Sequence, residues 1–410
     1  MTPSVLVLRR AAARRPTLTA ERARERSIQR RVGLVWGLLF FNTIGYSGTI
    51  FHIPHKAGQV ITQGALPLAL LVALTLNRKV VIRPNLFLCL VTLLPLEAIL
   101  TALSPQFFGA VYRTFRLAEF VATLWLLTPW WGRRDLVLVR CHLIALLVIL
   151  SSVGLGLVVA PGQAMASGRL GGALWDIPST QVAHYAAITT GFVVVLWLCG
   201  RISGTFTVVV AVSAVVILVL AHTRTALVGM GAGILLAGLS LVSANARVRR
   251  LFVISGAIAG ITILMFSSLI ISWLARGEGT TGITDLTGRT KVWEPLLQFP
   301  RDRFQEIFGF GLSNSSFNGL PIDSNWISSY QEQGLFGVTV CAVILTYLLV
   351  SAYFQPRGVE RALALFLTAY CLVASFTEDG FTDATPYLLE LMLAASLLVP
   401  SLADRSPPRT

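Results

Sequence analysis

The chain has 410 residues, 55% of them hydrophobic and 13% charged, with a formal net charge of +14 and a mean hydropathy of +0.73. A soluble domain carries about 25% charged residues, so an ordinary soluble fold is excluded. The recurring apolar runs are about 20 residues long, which fits membrane helices and excludes a transmembrane barrel, whose strands alternate and run only about ten residues.

Residues 1–33 form an arginine-rich segment, read as a topology and anionic-lipid anchor. No cleavable signal peptide is expected, because the first apolar run starts only after Arg31 and no small-residue cleavage site follows it. The apolar runs predict twelve spans: 34–52, 58–76, 86–103, 109–131, 137–160, 181–199, 205–221, 226–243, 251–274, 327–350, 361–377 and 387–402. The fold class is therefore an all-α integral membrane protein of about twelve transmembrane helices, with a large extracytoplasmic loop, 275–326, between the ninth and tenth. Residues 1–33 are a cytoplasmic segment, 34–402 the polytopic membrane domain and 403–410 a cytoplasmic tail.

The charge excess orients this chain. With both termini inside, 22 of the 33 basic residues fall in cytoplasmic segments and 8 in outer ones, while Arg113, Arg116 and Arg140 lie within spans. That asymmetry follows the positive-inside rule and places the large loop outside. It also argues against a nucleic-acid partner and for membrane lipids. The five cysteines lie in or beside spans without metal-ligand spacing, so they read as packing residues and no metal or cofactor is implied.

Charged residues in or beside spans are expensive and therefore informative. Arg113 and Arg116 share a helix face, with Glu119 three residues further on. They form either an internal ion pair or a cationic wall for an anionic lipid headgroup. Arg169, in an outer loop, and Arg224, at an outer turn, are either arginines snorkelling to headgroups or phosphate contacts. Within the large loop, 283–300 reads as a short amphipathic helix ended by Pro300, with Asp285 or Thr287 as N-cap. The segment 309–321 is turn-rich, and Asp323-Ser324-Asn325 leads into the span that starts at Trp326. The last outer loop carries Glu378, Asp379 and Asp383, as a sugar-binding rim or a negatively biased loop. Arg169, Arg224 and Arg289 can face one outer cavity, and an arginine fork suits phosphate oxygens. With no Walker loop, such a set fits a phosphate already attached to a lipid.

Four motifs, in order between about residues 160 and 350, resemble the O-antigen ligase and polymerase family. TRTALVG resembles its arginine element before a span. LTGRTKVW resembles its Gly-Arg-x3-Trp element, FGFGLSN its Gly-x-Gly turn, and DSNWISSYQEQGLFG its loop-ending element. The N-terminal half resembles the family only in span pattern and in the helix with Arg113 and Arg116.

The resemblance implies a metal-independent glycosyltransferase without cofactors. Its donor would be a glycan on undecaprenyl diphosphate, and its acceptor a hydroxyl of another glycan or lipid. Arg224 and Arg289, with Arg169 and Arg116, would hold the diphosphate and stabilise it as leaving group. Trp293, Asn325, Trp326, Glu378 and Asp379 would contact substrate. One departure matters: Ser324 stands where the family has a histidine, and none of His52, His55, His142, His184 and His222 lies in the large loop. Asp323 or Glu332 would then act on the acceptor side as base or clamp, with helix capping by Asp323 as the structural alternative. Other classes remain: a polyprenyl-phosphate-sugar glycosyltransferase, a lipid-linked glycan flippase or transporter, and a non-enzymatic assembly protein.

Overall fold

The computed structural model describes residues 3–44, 50, 54–102, 107–242, 246, 248–254, 256–257, 265, 289–312 and 316–400. Most of the expected ninth span and residues 275–288 of the expected loop lie outside the described residues. Nine helices come before that gap among the described residues: α1 (Pro3–Phe41), α2 (His55–Leu76), α3 (Leu86–Thr101), α4 (Phe107–Leu127), α5 (Val137–Val159), α6 (Pro161–Ala164), α7 (Ser179–Leu198), α8 (Gly204–Leu220) and α9 (Arg224–Val242). After it come α10 (Thr290–Gln298), α11 (Arg303–Phe308), a hairpin of β1 (Ser316–Phe317) and β2 (Leu320–Pro321), then α12 (Asn325–Phe354), α13 (Val359–Ala374) and α14 (Pro386–Leu398).

The described chain is mostly helical. Five helices are long and apolar enough to cross a membrane: Lys56–Leu76, Val137–Val159, Ser179–Leu198, Arg224–Val242 and Asn325–Phe354. Leu68, Leu71, Ile144, Val148, Val208 and Val212 are exposed on α2, α5 and α8. Repeated exposure of large aliphatic side chains along a helix suits a lipid-facing surface.

Local sequence sets the helix ends. Asn85 caps α3 by accepting the Phe87 N–H at 2.8 Å, and Ser203 and Thr385 cap α8 and α14 in the same way. Pro386 follows Thr385 at the first helical position, where its missing N–H costs nothing. The core centres on α7, with Tyr185 and Phe192 fully buried against Phe40, His142 and Phe366. Gly229 and Gly233, one turn apart on α9, face Tyr370 and Phe366 of α13. A Cβ on Gly233 would lie 2.7 Å from the Phe366 ring, so the close approach of α9 to α13 requires glycine there.

Of the loop helix expected over 283–300, residues 283–288 lie outside the described residues. The helix runs Thr290–Gln298 with Arg289 at the N-cap and no side-chain capping bond; Asp285 and Thr287 lie outside the described residues. It stops before Pro300, because the residue preceding a proline is pushed into extended conformation, as Phe299 is. The turn-rich segment holds a hairpin whose two-residue turn is Asn318-Gly319, both with positive φ, the geometry that matches strand twist. Val292 and Leu296 of α10 join Ile322 in a small separate core, against Trp293, Phe317, Ile327 and Tyr330. That cluster fixes the loop on the N-terminal end of α12.

Candidate functional site

The site is organised by a break in α12. Gly334 takes φ 62° and ψ −160° within the helix, so the carbonyls of Gln331 and Glu332 lose the N–H groups that would come four residues later. The Gly309-Phe310-Gly311 turn replaces them. Phe310 N–H donates to Gln331 O at 3.0 Å and Gly311 N–H to Glu332 O at 2.9 Å. Arg301 donates to Tyr330 O at 3.2 Å and to Gln331 Oε1 at 2.8 Å, with its guanidinium 4.2 Å from the centre of the Tyr330 ring. Backbones meet here at van der Waals limits. A Cβ on Gly334 would lie 2.4 Å from Ile307 C, and one on Gly309 2.4 Å from Glu332 C.

The break aims Glu332 across the bundle at α4. Arg113 Nη1 donates to Glu332 Oε1 at 2.7 Å, and Arg113 Nη2 to Asp383 Oδ2 at 2.9 Å. All three are largely withdrawn from solvent, with Glu332 1% exposed. Burial alone would raise the Asp383 carboxyl, but Arg113 and Arg116 hold it below the usual carboxylate range, helped by the Ala384 N–H at 2.7 Å. Arg116 Nη2 donates to Ala384 O at 3.1 Å and Asn42 O at 3.3 Å. Of the two readings of this helix face, the geometry gives Arg113 an inter-helix ion pair; Glu119, three residues from Arg116, is not part of it.

The same contacts pin the loop between α13 and α14. Asn325 N–H donates to Ser375 O at 3.0 Å, Asn325 Oδ1 accepts from Phe381 N–H at 2.8 Å, and Trp326 Nε1 donates to Ser375 Oγ at 3.0 Å. Asn325 and Trp326 thus hold protein to protein. Ser324, not Asp323, occupies the N-cap of α12, and its side chain makes no capping bond.

Beside this braced region lies a second group of charges. Arg224, the first residue of α9, has its Nε and Nη2 buried without an acceptor among the described residues. Its neighbours are tied down: Thr223 Oγ1 accepts from Arg169 Nη2 at 2.8 Å, and Thr225 Oγ1 lies 2.5 Å from Thr377 Oγ1. Arg169 Nε also donates to Ala221 O at 3.1 Å, which braces the α8–α9 turn. Arg289 Nε is 3.6 Å from Asp323 Oδ2, an ion pair wider than a hydrogen bond, with Asp323 49% exposed. Glu378, next to Thr377, feels Arg289, Asp323, His184 and Arg169. Burial pushes its carboxyl up to about 7, against the pull of Arg289, His184 and Arg169. Asp379 lies on the other side, close enough to Glu332 to repel it. Trp293 belongs to the small loop core, with its indole N–H unpartnered.

The structure therefore brings Arg169, Arg289 and Asp323 around Glu378, ties them to the start of α9 at Arg224 through the Arg169–Thr223 and Thr225–Thr377 contacts, and holds Arg113, Arg116, Glu332 and Asp383 in a braced group. Three features escaped the sequence reading. Arg301, counted only for topology, holds the broken helix. Glu97 on α3 is buried beside Thr101 and Gln333, one turn from Leu94, whose carbonyl accepts from Gln333. Glu390 on α14 is buried against His184 Nε2 at 2.7 Å, while His184 Nδ1 lies 2.9 Å from the Tyr370 hydroxyl. Glu97 and Glu390 are acidic residues in apolar runs, which is the available signal. A cavity of 370 Å³ lies at the other end of the bundle, between the start of α5 and the ends of α12 and α14, where Arg133 is already paired with Glu25 and Asp135. Among the described residues no group of three His, Cys, Asp or Glu is placed to hold a metal ion. Neither a protein-family model nor a curated protein matches this sequence.

Proposed function

We propose that this protein transfers a glycan from an undecaprenyl-diphosphate-linked donor to an acceptor hydroxyl on the outer face of the cytoplasmic membrane, as a polysaccharide polymerase or ligase. The supporting observation is Arg224. A guanidinium with two buried nitrogens and no acceptor among the described residues is costly unless a ligand completes it; Arg169 bonds to Thr223 beside it, and Arg289 acts on Glu378 next to the Thr225–Thr377 contact. The ligand that suits this group is an anion with several oxygens. A diphosphate at a lipid surface is such an anion, and it is also a leaving group whose departing charge the arginines would stabilise. Arg224 and Arg289 are the direct diphosphate ligands in this reading. Arg169 positions the turn that presents Arg224. Arg116, engaged with two carbonyls, shapes the wall behind it.

The reading includes twelve spans with both termini cytoplasmic and residues 275–326 outside, on the strength of the 22-to-8 division of basic residues. Single cysteines near Thr281 and Arg357 test it in intact cells: a membrane-impermeant reagent should label the first and spare the second, and the opposite pattern reverses the orientation.

Activity is tested in proteoliposomes with a polyprenyl-diphosphate-linked glycan. A charge-assisted contact contributes about 1.5–3 kcal/mol, so Arg224→Ala or Arg289→Ala should slow transfer at least about tenfold, each kcal/mol being a factor of about five. Arg289→Lys keeps charge without the fork and should retain little activity. Wild-type turnover by well-folded Arg224→Ala removes the arginine group from the reaction. Movement of the lipid-linked glycan across the bilayer without transfer replaces the reading with a flippase.

A further inference from the structure

Glycan transfer needs a base for the acceptor hydroxyl, and among the described residues five carboxylates belong to the two charge groups above: Glu332, Asp383, Asp323, Asp379 and Glu378. Glu332 and Asp383 are both bound to Arg113, so their negative charge is already matched. Asp323 faces the neighbouring Arg289 and stands half in solvent. Asp379 lies toward Glu332. Glu378 differs from all four. It is half-buried, and its carboxyl forms no ion pair or hydrogen bond with the described residues. It nevertheless stands within the field of Arg289 and Arg169, beside the Thr377–Thr225 contact that leads to Arg224. Among the described residues Glu378 is thus a carboxylate without an ion pair or hydrogen bond, in the field of Arg289 and Arg169 and one residue from the threonine contact that leads to Arg224.

We propose that Glu378 is the base that accepts the acceptor hydroxyl proton, an assignment that rests on the glycan transfer proposed above. As the acceptor oxygen bonds to the anomeric carbon of the donor, its proton passes to the Glu378 carboxylate. The bond from the anomeric carbon to the phosphate oxygen breaks, and its electron pair leaves on the polyprenyl diphosphate beside Arg224 and Arg289. The proton then passes from Glu378 to water, which restores the carboxylate for the next transfer.

The surroundings suit that cycle. The titratable groups facing Glu378 are Arg289 and Asp323 from the large loop, Arg169 from the loop before α7, His184 from α7, Tyr370 from α13 and Tyr387 from α14. Burial raises the carboxyl while Arg289, His184 and Arg169 lower it and Asp323 raises it, leaving it at about 7. A base matched to the working pH is the most effective general catalyst. The active form is deprotonated, so transfer rises with pH through about 7.

The test measures kcat against pH in proteoliposomes with a polyprenyl-diphosphate glycan, and binding of undecaprenyl diphosphate separately, for wild type, Glu378→Gln and Glu378→Asp. General-base catalysis contributes about 10²–10⁴-fold. Glu378→Gln should therefore lose at least about a hundredfold in kcat and lose the rise near pH 7, while still binding the diphosphate. Glu378→Asp should keep part of the rate and a pH-dependent rise. Wild-type rate and pH profile in Glu378→Gln would overturn the base and leave the transfer reading intact. Loss of diphosphate binding in Glu378→Gln would also overturn it, in favour of a binding role. Absence of transfer by the wild type, with diphosphate still bound, would overturn the transfer reading and the base with it.

Discussion

Arg113 and Arg224 stand at the same end of the bundle and have opposite surroundings. Arg113 has two carboxylates at 2.7 and 2.9 Å, brought from α12 and from the loop before α14. Arg224 has hydroxyl-bearing neighbours already bonded elsewhere and two buried nitrogens with no acceptor among the described residues. A buried charge that is fully matched holds a fold together; one that is unmatched is a place for something the protein does not itself contain. The first arginine fixes the frame, and the second is free to meet a ligand.

The comparison breaks most visibly at Arg113. Arg113→Ala leaves Glu332 and Asp383 buried without their partner, a loss of about 3–5 kcal/mol, and should abolish recovery of folded protein in a detergent thermal-unfolding assay. Replacing the group by apolar residues, as Arg113→Met with Glu332→Leu and Asp383→Leu, should restore much of that stability, since the desolvation cost disappears with the charges. If the triple variant is as unstable as Arg113→Ala, packing around the site matters more than charge balance.

Gly334→Ala comes next. The positive φ alone costs about 1–3 kcal/mol, and the new Cβ meets the Ile307 backbone at 2.4 Å. The expected result is a lowered unfolding midpoint together with faster proteolysis of the α10–α11 region, because the Gly309–Gly311 turn loses its dock. An unchanged cleavage pattern would show that the loop is held by the Val292–Leu296–Ile322 core instead.

Arg224→Ala sharpens the contrast from the other side. It removes an unsatisfied charge, so stability should hold or rise slightly while transfer falls at least about tenfold. A stability loss comparable to that of Arg113→Ala would erase the distinction between the two arginines.

The smallest expected effect is a pH dependence of stability. The Glu378 carboxyl is raised to about 7, above its ordinary carboxylate value, so the folded state binds its proton more tightly than the unfolded state. Its stabilising contribution is full below about 4.5 and is lost as pH rises through about 7. The wild-type unfolding midpoint should therefore drop more between pH 5 and pH 8 than that of Glu378→Gln, with the two converging at the acid end. Parallel curves would show that the carboxyl is better solvated than its position implies.

Much of the architecture was legible in the chain. Apolar length marked the helices because a span needs about 20 residues of low polarity; the expected 137–160 and the observed Val137–Val159 differ by one residue. Asn85, Ser203 and Thr385, not singled out from the sequence, start their helices through local capping chemistry that needs no distant partner. The Asn318-Gly319 hairpin was also encoded locally, although the sequence reading described that stretch only as turns. The arginines of the site were legible as costly residues, and the Gly-x-Gly turn as a motif, but not what the turn does.

What the sequence by itself determined is the class of chain: apolar helices, a polar interruption and a set of arginines whose charge needs an answer. Tertiary structure alone decided which answer each one receives. Arg113 finds its carboxylates 219 and 270 residues away, and the Gly309–Gly311 turn finds its acceptors only because α12 breaks at Gly334. Asn325 and Trp326 bond to the α13–α14 loop, and Glu378 comes to stand beside Arg224's neighbours. Helix formation and capping depend on residues within a turn or two, so a sequence displays them. Charge pairing and the freedom of a carboxylate depend on which helices meet, and that is settled only when the whole bundle packs.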